Sequence, residues 1–437
     1  MLSVMTVAGS DSGGGAGVSA DTRTLAALGV HGTPVITAVT SQNTLGVRDV
    51  YNVPAEVIVS QIEAIISDID VRSAKIGMLG THEIAEAVAD ALSGHRIPIV
   101  VDPVLAAEAG GRLLKGELND VLSPLMRKTT VLTPNIQEAE AISGATIHTL
   151  DDMKQAAREI NTLGPQSVIV TGGHLGGTDV LYDGRFHLLR GKLIKGGTHG
   201  AGCTFSAALA VFLAKGYPVK PSASMAKTFV SEAIRNSERI GAGPAAVNQF
   251  RATLRKAERY LTLLNVEAGL RTIKALNPNL IPEIGSNLAM AITDAKHFAD
   301  VAAVKGRIAV VGESVTPVGC VAFGASRHMG TIVLAALSQQ RDAKAAMNLR
   351  YSDDVKRACE ELNLVTECFG GGTEPDASST VKSRVAHAIE TSLARGSGMP
   401  NLICDWRVAG TGPTAFVFGH SAQQVADMAA RISSALG

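Results

Sequence analysis

Aromatic residues and net charge are both scarce in this sequence. Phe, Trp and Tyr make up 4% of its 437 residues, and 40 basic side chains balance 40 acidic ones. Proteins that bind nucleic acids usually have a basic surface and aromatic rings on which bases stack. The composition therefore argues against a nucleic-acid-binding protein.

Cysteine is scarce as well, and long apolar runs are missing. The five cysteines are an odd number, and no two of them have the spacing of a CxxC pair. We therefore predict neither a disulfide framework nor a structural zinc site, and a reducing compartment. The N-terminus lacks the pattern of a signal peptide, and no run of about 18 apolar residues occurs. These absences together predict a cytoplasmic protein.

Length and composition predict a globular α/β protein of two domains. Hydrophobic residues make up 46% of the chain and charged residues 18%, as is typical of packed domains. Short apolar runs such as VMTVAG and IPIVVD alternate with amphipathic segments. This alternation predicts a parallel sheet covered on both faces, followed by a second α/β domain. We place the boundary near residue 250, giving domains 1–250 and 251–437.

The first glycine cluster, AGSDSGGGAG, follows an apolar run directly. It is not a dinucleotide fingerprint, because GxGxxG would require glycine where Val18 stands, and the next strand ends without an acidic residue. A Walker A motif is also missing from the chain. The cluster is therefore either a close turn between a strand and a helix or a loop that binds a ligand in another way.

The second glycine cluster is GGTHGAGCTF, after which an apolar helical pattern begins. Gly200, Gly202 and Cys203 would expose backbone N–H groups at the start of that helix, where anions bind. The same field should lower the pKa of the Cys203 thiol and make it a base or a hydrogen-bond partner for a substrate hydroxyl. The alternative is a small residue that simply packs at a helix start.

A third motif, TPNIQEAE, places Asn135 and Glu138 on one face of a first helical turn. Oxygen ligands beside a phosphate site suit Mg²⁺, and Asp102 at the end of VVD would add negative charge. The alternative is an acid that only complements the helix dipole.

These motifs, with ITAVTSQNTLGV, KIGML, VVDPV and TGGHL between them, resemble the hydroxymethylpyrimidine/phosphomethylpyrimidine kinases over about residues 1–245. The resemblance implies a ribokinase-like fold and the ATP-dependent phosphorylation of a pyrimidine alcohol and then of its monophosphate. It also implies roles for individual residues: Gly200, Gly202 and Cys203 for catalysis, Thr171, Thr198, Gly200 and Gly202 for the nucleotide, Asp102, Asn135 and Glu138 for Mg²⁺, and Gly9, Ala16, Gln42, Met78 and Val104 for the pyrimidine.

One departure from the family concerns the nucleotide. Relatives often have KGGH where this chain has Thr171-Gly172-Gly173-His174, so a cation is missing from the expected place. Either a hydroxyl suffices there, or another basic residue such as Lys195 substitutes.

The second half has two polar clusters, FGASRHMG and AAMNLRYSDD. Arg327 and His328 would lie in a turn from strand to helix, and Arg350 follows Asn348. Arginine binds phosphate through two parallel hydrogen bonds, although an isolated arginine is more often solvated surface charge.

With IPEIGSNLAMAI, GRIAVVG, GGTEPD and DWRVAGTGP, these clusters resemble the archaeal-type thiamine-phosphate synthase domain over about residues 260–437. The resemblance implies coupling of the pyrimidine diphosphate to a thiazole phosphate, with release of pyrophosphate. Arg327, His328 and Arg350 would stabilise the leaving group, and Asn348 would position substrate. Two usual charged positions are lost, in Phe369-Gly370-Gly371 and Thr411-Gly412-Pro413, and related domains also serve as non-catalytic sensors of thiamine phosphate.

The sequence therefore predicts a bifunctional enzyme of thiamine biosynthesis that uses ATP and Mg²⁺. The alternative is a kinase joined to a sensor domain. We expect small-molecule substrates, a homo-oligomer, and neither nucleic acid nor membrane as a partner.

Overall fold

The chain forms two compact units, residues 1–254 and 255–437. The structure, a computed structural model, describes residues 1–106, 111, 114, 116–173, 175–369, 380–396, 398–405 and 413–436. His174, the GGTEPD motif, Gly370 and most of DWRVAGTGP, including Thr411 and Gly412, lie outside the described residues. Each unit is described by itself below.

The N-terminal unit is built on one nine-stranded sheet with the order β3-β2-β1-β4-β5-β6-β7-β8-β9. Its strands are β1 (Ser3–Asp11), β2 (His31–Asn43), β3 (Gly46–Asn52), β4 (Val71–Ile76), β5 (Ile99–Val101), β6 (Val131–Leu132), β7 (Ser167–Val170), β8 (Asp179–Tyr182) and β9 (Phe186–Leu189).

The helices of this unit lie between the strands and after them. They are α1 (Gly17–Ala27), α2 (Ala55–Ile66), α3 (His82–Ala91), α4 (Leu118–Met126), α5 (Ile136–Ser143), α6 (Leu150–Thr162), α7 (Ala201–Ala214) and α8 (Val219–Arg235), and α9 (Arg251–Ile273) then leads into the second unit.

The predicted parallel sheet with two covered faces is confirmed. Strands β2, β1, β4, β5, β6 and β7 pair in parallel. Successive residues of one strand enter different cores: Met5 and Val7 pack in one cluster, and Val4 packs in the other with α7 and α8. Because both faces are buried, β1 is buried along almost its whole length and reads as an apolar run.

A hairpin forms one edge of this sheet. Strands β8 and β9 pair antiparallel with Tyr182 opposite Phe186, so Asp183 and Gly184 lie in the turn. Gly184 has φ of +94°, which glycine adopts at little cost.

The C-terminal unit has a seven-stranded sheet of order β14-β11-β10-β15-β18-β17-β16 and a separate hairpin, β12-β13. Its elements are β10 (Leu288–Ala291), β11 (Val301–Val304), β12 (Ile308–Val311), β13 (Ser314–Pro317), β14 (Val321–Phe323), α10 (Arg327–Gln339), β15 (Ala345–Arg350), α11 (Asp353–Glu361), β16 (Thr366–Phe369), α12 (Val381–Ala394), β17 (Leu402–Asp405), β18 (Thr414–Gly419) and α13 (Ala422–Ala435).

This second sheet is mainly antiparallel, and only β16 and β17 pair in parallel. The segment AAMNLR, which the sequence analysis treats as a polar cluster, is the central strand β15. Met347 packs in one core and Ala346 in the other, so this sheet is also covered on both faces.

One prediction about cysteine is wrong. Cys368 and Cys404 form a disulfide across β16 and β17, where they lie directly opposite each other. The two residues are 36 positions apart, and only the parallel register brings them together, so spacing alone does not reveal the pair. Cys203, Cys320 and Cys359 are free.

Within the described ranges, no helix combines the length and the apolar character that crossing a bilayer would require.

Candidate functional site

A cleft of about 690 Å³ opens at the carboxyl ends of the parallel strands in the N-terminal unit. Asp11 ends β1, Asp102 follows β5, Asn135 follows β6 and Thr171 follows β7, and all four line this cleft. Parallel strands end at one edge of a sheet, which is where such folds bind ligands.

Every residue that the resemblance assigns to catalysis, to the nucleotide, to Mg²⁺ or to the pyrimidine lines this one cleft. The set comprises Gly9, Ala16, Gln42, Met78, Val104, Asp102, Asn135, Glu138, Thr171, Thr198, Gly200, Gly202 and Cys203.

The first glycine cluster is organised by Asp11, which the sequence analysis does not single out. Its carboxylate accepts N–H groups from Gly13, Gly15 and Ala16 at 2.8–2.9 Å and lies 3.3 Å from Nε2 of His199. Burial acts to raise the pKa of Asp11, but hydrogen bonds from His199 and the backbone outweigh it and hold the pKa below its usual value. Asp11 therefore folds its own loop and ties it to the second glycine cluster.

The two glycine clusters are in direct contact. Gly200, the N-cap of α7, has φ of +83°, and a Cβ built on it would lie 2.0 Å from the carbonyl oxygen of Gly15. A Cβ on Gly15 would in turn lie 2.1 Å from the His199 ring. Both space and backbone conformation require glycine at position 200, and space alone favours it at position 15.

Cys203 lies where the N-termini of α1 and α7 meet, and the backbone N–H of Gly17 donates to its sulfur. The prediction that its pKa falls is wrong. Burial raises the pKa of the Cys203 thiol to about 12; Lys75 acts to lower it, while Asp21 and Asp102 raise it further. Desolvation and the two nearby acids thus raise the pKa of Cys203 by more than the positive field at the start of α7 lowers it.

A buried ion pair that sequence reasoning missed lies beneath Cys203. Lys75 of β4 is fully buried, and its Nζ lies 2.9 Å from Oδ2 of Asp21 in α1 and 4.0 Å from Oδ2 of Asp102. Burial acts to lower the pKa of Lys75, but the charges of Asp21, Cys203 and Asp102 hold it above its usual value. A single lysine inside the apolar run SAKIGM was the available signal, since buried charges require a partner.

Asn135 and Glu138 form a capping box at the start of α5. The Glu138 N–H donates to Asn135 Oδ1 at 2.9 Å, and the Asn135 N–H donates to Glu138 Oε2 at 2.8 Å. Burial, and then the charge of Asp102, raise the pKa of Glu138 to about 8. Burial also raises the pKa of Asp102, although Lys75 and the Ser206 hydroxyl act to lower it.

These carboxylates fit a divalent cation. Asp102 and Glu138 are both buried, and the negative charge of Asp102 raises the pKa of Glu138. A bound Mg²⁺, whose preferred ligands are oxygens, would offset the repulsion between the two carboxylates. In the described part of the chain, no group of three or more His, Cys, Asp or Glu side chains is arranged to hold a metal. The arrangement therefore suits an ion that takes its other ligands from water and substrate phosphates.

The predicted pyrimidine positions lie on the side of the cleft near β1 and β2. A Cβ on Gly9 would lie 2.9 Å from the sulfur of Met78, so glycine leaves room for that side chain. The Gln42 amide oxygen accepts from the Thr40 hydroxyl at 3.3 Å. An amide that can donate and accept faces the cleft here beside apolar side chains.

On the opposite side, Lys227 of α8 pairs with Asp179 at 2.6 Å, and Asp179 also accepts the N–H of Gly172 at 3.0 Å. Lys227 and Lys192 line the cleft, whereas Lys195 does not. The sequence-based suggestion that Lys195 replaces the missing lysine therefore lacks structural support.

The residues predicted to be functional in the C-terminal unit contact different segments of that unit. Asn348 is buried in β15; its side chain accepts the N–H of Asn287 at 2.8 Å and donates to the carbonyl of Gly285 at 3.2 Å. The ring of His328 lies 6.0 Å from that of Phe416, and although His328 is exposed at the surface, partial desolvation of the ring lowers its pKa, which favours the neutral form. A cationic role for His328 is thereby disfavoured.

Arg327 and Arg350 contact segments at opposite ends of β10. The Arg327 guanidinium lies 5.5 Å from the ring of Phe298, which precedes β11 beside the end of β10. Arg350 lies 3.8 Å from Glu283, which precedes the start of β10. The structure thus does not bring the two arginines onto a shared partner.

Sequence reasoning missed a buried ion pair at the same end of the sheet as Arg350. Arg384 of α12 donates to Oδ2 of Asp405 through two nitrogens, at 2.7 and 3.2 Å. Asp405 and Arg350 are both directly opposite Thr414 on β18. Cross-strand neighbours point to the same face, so these residues share one face at one end of the sheet.

Comparison with known families matches each half of the chain separately. Residues 11–248, more than half of the chain, match the family model for phosphomethylpyrimidine kinase. Residues 265–431 match the model for the thiamine-phosphate synthase ThiN.

Curated relatives match the N-terminal half. The hydroxymethylpyrimidine/phosphomethylpyrimidine kinase of Haemophilus influenzae is 43% identical over 258 residues, which cover 56% of this chain and 96% of the relative. The thiamine biosynthesis bifunctional protein ThiED of Geobacter sulfurreducens is 41% identical over 257 residues, covering 57% of this chain. That match spans about half of the bifunctional relative, 52% of its length.

Solved pyridoxal kinases have a similar fold in the same portion. The Bacillus subtilis enzyme in its ADP complex is 36% identical with a TM-score of 0.54, covering 58% of this chain and 99% of that one. The Staphylococcus aureus enzyme in complex with AMP-PCP and pyridoxal is 34% identical with a TM-score of 0.53, covering 57% and 93%. The predicted ribokinase-like α/β fold is confirmed by these neighbours.

Proposed function

The chain belongs to the phosphomethylpyrimidine kinase family, and from that premise we propose that its N-terminal cleft phosphorylates 4-amino-5-hydroxymethyl-2-methylpyrimidine and then the monophosphate. A ThiN thiamine-phosphate synthase domain follows in the same chain. The sequence-based identification of both families is confirmed, and together they assign the chain to thiamine biosynthesis. We assign the kinase to residues 1–250 and the synthase to residues 251–437.

The observation that carries the kinase assignment is the junction of Gly200, Gly202 and Cys203 with the first glycine cluster. Phosphoryl transfer depends mainly on positioning and on stabilising charge at the transferred group. Backbone N–H groups at the start of α7 would stabilise that charge, and the αL conformation of Gly200 supports this geometry.

The other predicted roles divide along the cleft. We assign Gly9, Ala16, Gln42, Met78 and Val104 to the pyrimidine, and Thr171 and Thr198 to the nucleotide, which for this kinase family is ATP. We assign Asp102, Asn135 and Glu138 to Mg²⁺, which would neutralise phosphate charge when bound. Support comes from the two buried carboxylates, since Asn135 contributes chiefly by fixing Glu138.

We assign Cys203 the role of a neutral hydrogen-bonding thiol beside the substrate hydroxyl. With a pKa near 12, the thiol is protonated at neutral pH, so it does not act there as a preformed thiolate base. The nearby Lys75–Asp21 pair would hold Asp102 and Cys203 in fixed positions.

A panel of substrates with ATP and Mg²⁺ tests the kinase assignment. We expect turnover of the pyrimidine alcohol and its monophosphate, and we include pyridoxal because the two solved neighbours described above are pyridoxal kinases. Cys203→Ala should lower kcat by about a hundredfold or more, and Cys203→Ser should retain part of the rate, because a hydroxyl also hydrogen-bonds. Near-normal rates for the alanine variant would remove the thiol from the mechanism, and exclusive use of pyridoxal would overturn the substrate assignment.

For the C-terminal unit we propose coupling of the pyrimidine diphosphate with thiazole phosphate, which releases pyrophosphate. Arg327 and Arg350 are the cations assigned to the phosphates, His328 enters as a neutral donor, and Asn348 acts by holding β15 to the start of β10. Supplying both substrates to the Cys203→Ala chain and measuring pyrophosphate tests this. Binding of thiamine phosphate without any pyrophosphate release would favour the sensor instead. Self-association and a cytoplasmic location stay predictions from the sequence.

A further inference from the structure

Four acidic side chains line the cleft, namely Asp11, Asp102, Glu138 and Asp179. A nucleoside triphosphate brings about four more negative charges, so its phosphates require cations beyond a single Mg²⁺. The turn that begins at Thr171 has no cation among its described residues, although the family that this sequence resembles often has a lysine there.

Three lysines line the cleft in the described part of the chain: Lys75, Lys192 and Lys227. Lys75 is held by Asp21 at 2.9 Å, and Lys227 is held by Asp179 at 2.6 Å. Lys192 is exposed, and none of the described carboxylates pairs with it. It is therefore the lysine whose charge remains available to a ligand.

Two glycines place Lys192 against the turn that lacks a cation. A Cβ on Gly177, which follows that turn in the sequence, would lie 2.9 Å from the carbonyl carbon of Lys192. A Cβ on Gly191 would lie 2.5 Å from the carbonyl oxygen of Gly177 and 2.7 Å from Cε of Lys227. The backbone of Lys192 is thus packed on the turn, while its side chain is exposed at the cleft.

We propose that Lys192 supplies the nucleotide-phosphate cation that the Thr171–Gly173 turn lacks. The inference rests on the proposed kinase function and deepens it by naming the residue that compensates for Thr171. A lysine ammonium is a point charge on a flexible stem, so it can reach phosphate oxygens from a neighbouring segment. Lys227 then acts through Asp179 to hold the turn, which makes it a positioning residue.

Calorimetric titration of the full chain with Mg²⁺ and a non-hydrolysable ATP analogue tests the proposal. Lys192→Met should weaken nucleotide binding by about tenfold, as the loss of one charge-assisted hydrogen bond implies, and leave pyrimidine binding unchanged. Lys195→Met is the matched control, because it removes the same charge three positions later and outside the cleft. Its nucleotide affinity should stay within about twofold of wild type, since an exposed charge at a distance is screened by salt.

Relocating the charge provides a second test. The double variant Thr171→Lys/Lys192→Met should recover most of the affinity, because it returns the cation to the turn. Wild-type affinity in Lys192→Met, an equal loss in Lys195→Met, a parallel loss of pyrimidine binding, or no recovery in the double variant would overturn the inference while the kinase function stands. Failure of the wild-type chain to bind nucleotide would overturn the proposed function and the inference together.

Discussion

The two units of this chain present strand-end residues in opposite ways. In the N-terminal unit the strands run in parallel, so Asp11, Asp102, Asn135 and Thr171 meet at one cleft. In the C-terminal unit most strands are antiparallel, so residues that follow successive strands emerge at alternate ends of the sheet. Motifs that follow successive strands therefore predict a common site in the first unit. In the second unit the same kind of pattern does not predict one.

Substitution of Gly200 should have the largest effect on kinase activity. A small effect would contradict the view that the strand-end loops of the N-terminal unit form one site. Gly200→Ala forces a side chain into an αL residue whose Cβ would lie 2.0 Å from the Gly15 carbonyl oxygen. We expect kinase kcat to fall by about a thousandfold, because the N–H donors at the start of α7 move and the strained backbone resists recovery.

The control for Gly200→Ala is Gly216→Ala, which has φ of +85° but open space around its Cβ position. That variant carries the backbone strain alone and should retain most of the kinase rate. The synthase activity of the same chain should be unchanged in both. Equal kinase losses in both variants would mean that strain, and not the contact between the loops, explains the effect.

The next effect concerns the buried pair of the second unit. Arg384→Met leaves the carboxylate of Asp405 buried without that partner and should destabilise the C-terminal unit by about 3–5 kcal/mol. Urea unfolding monitored by the fluorescence of Trp406, the single tryptophan of the chain, measures this. Kinase activity should be preserved.

Arg395→Met is the matched control. Arg395 pairs with Glu367 at 3.4 Å but is mostly exposed, so its loss should change the free energy of unfolding by about 0–1 kcal/mol. Similar effects of the two substitutions would contradict the distinction between a buried and a solvated pair.

The smallest effect is a pH dependence in the first unit. The pKa of Glu138 is raised to about 8 from a usual 4.5, so the folded chain retains a proton that the unfolded chain has lost between these values. Its contribution to stability is therefore full below pH 4.5 and is lost as the pH rises through about 8. Mg²⁺ binds the ionised acid, so it should raise the melting temperature more at pH 8 than at pH 6, by about 2–4 °C.

Glu138→Gln should remove both the Mg²⁺ response and this part of the pH dependence. Glu159→Gln, which changes a half-buried acid on α6 that does not line the cleft, should leave both intact. Scanning calorimetry with and without Mg²⁺ distinguishes them. An unchanged Mg²⁺ response in Glu138→Gln would separate this acid from metal binding.

Much of the first fold could be predicted from the sequence, and less of the second. Runs such as IPIVVD are rich in β-branched residues, which favours strands. Strands β10, β11 and β15 are rich in alanine, which has little strand preference, and Asn348 gives β15 a polar centre. Tertiary packing on both faces, which no local pattern records, determines these strands.

The site was predictable where chemistry follows a strand end and unpredictable where partners are remote. Asp102 and Asn135 could be found from position alone. The pairing of Lys75 with Asp21 joins residues 54 positions apart, so neither predicts the other. The raised pKa of Cys203 has the same origin, because its burial and the acids near it come from other elements.

The contact between Asp11 and His199 has a consequence for how the protein is made. These residues are separated by about three quarters of the length of the N-terminal unit, yet the first glycine loop is tied to the second only when they meet. During synthesis on the ribosome, the early loop must therefore wait, without its partner, until the later segment has left the exit tunnel. Nascent chains that end before the second glycine cluster should consequently lack nucleotide affinity, even if their first strands have already paired.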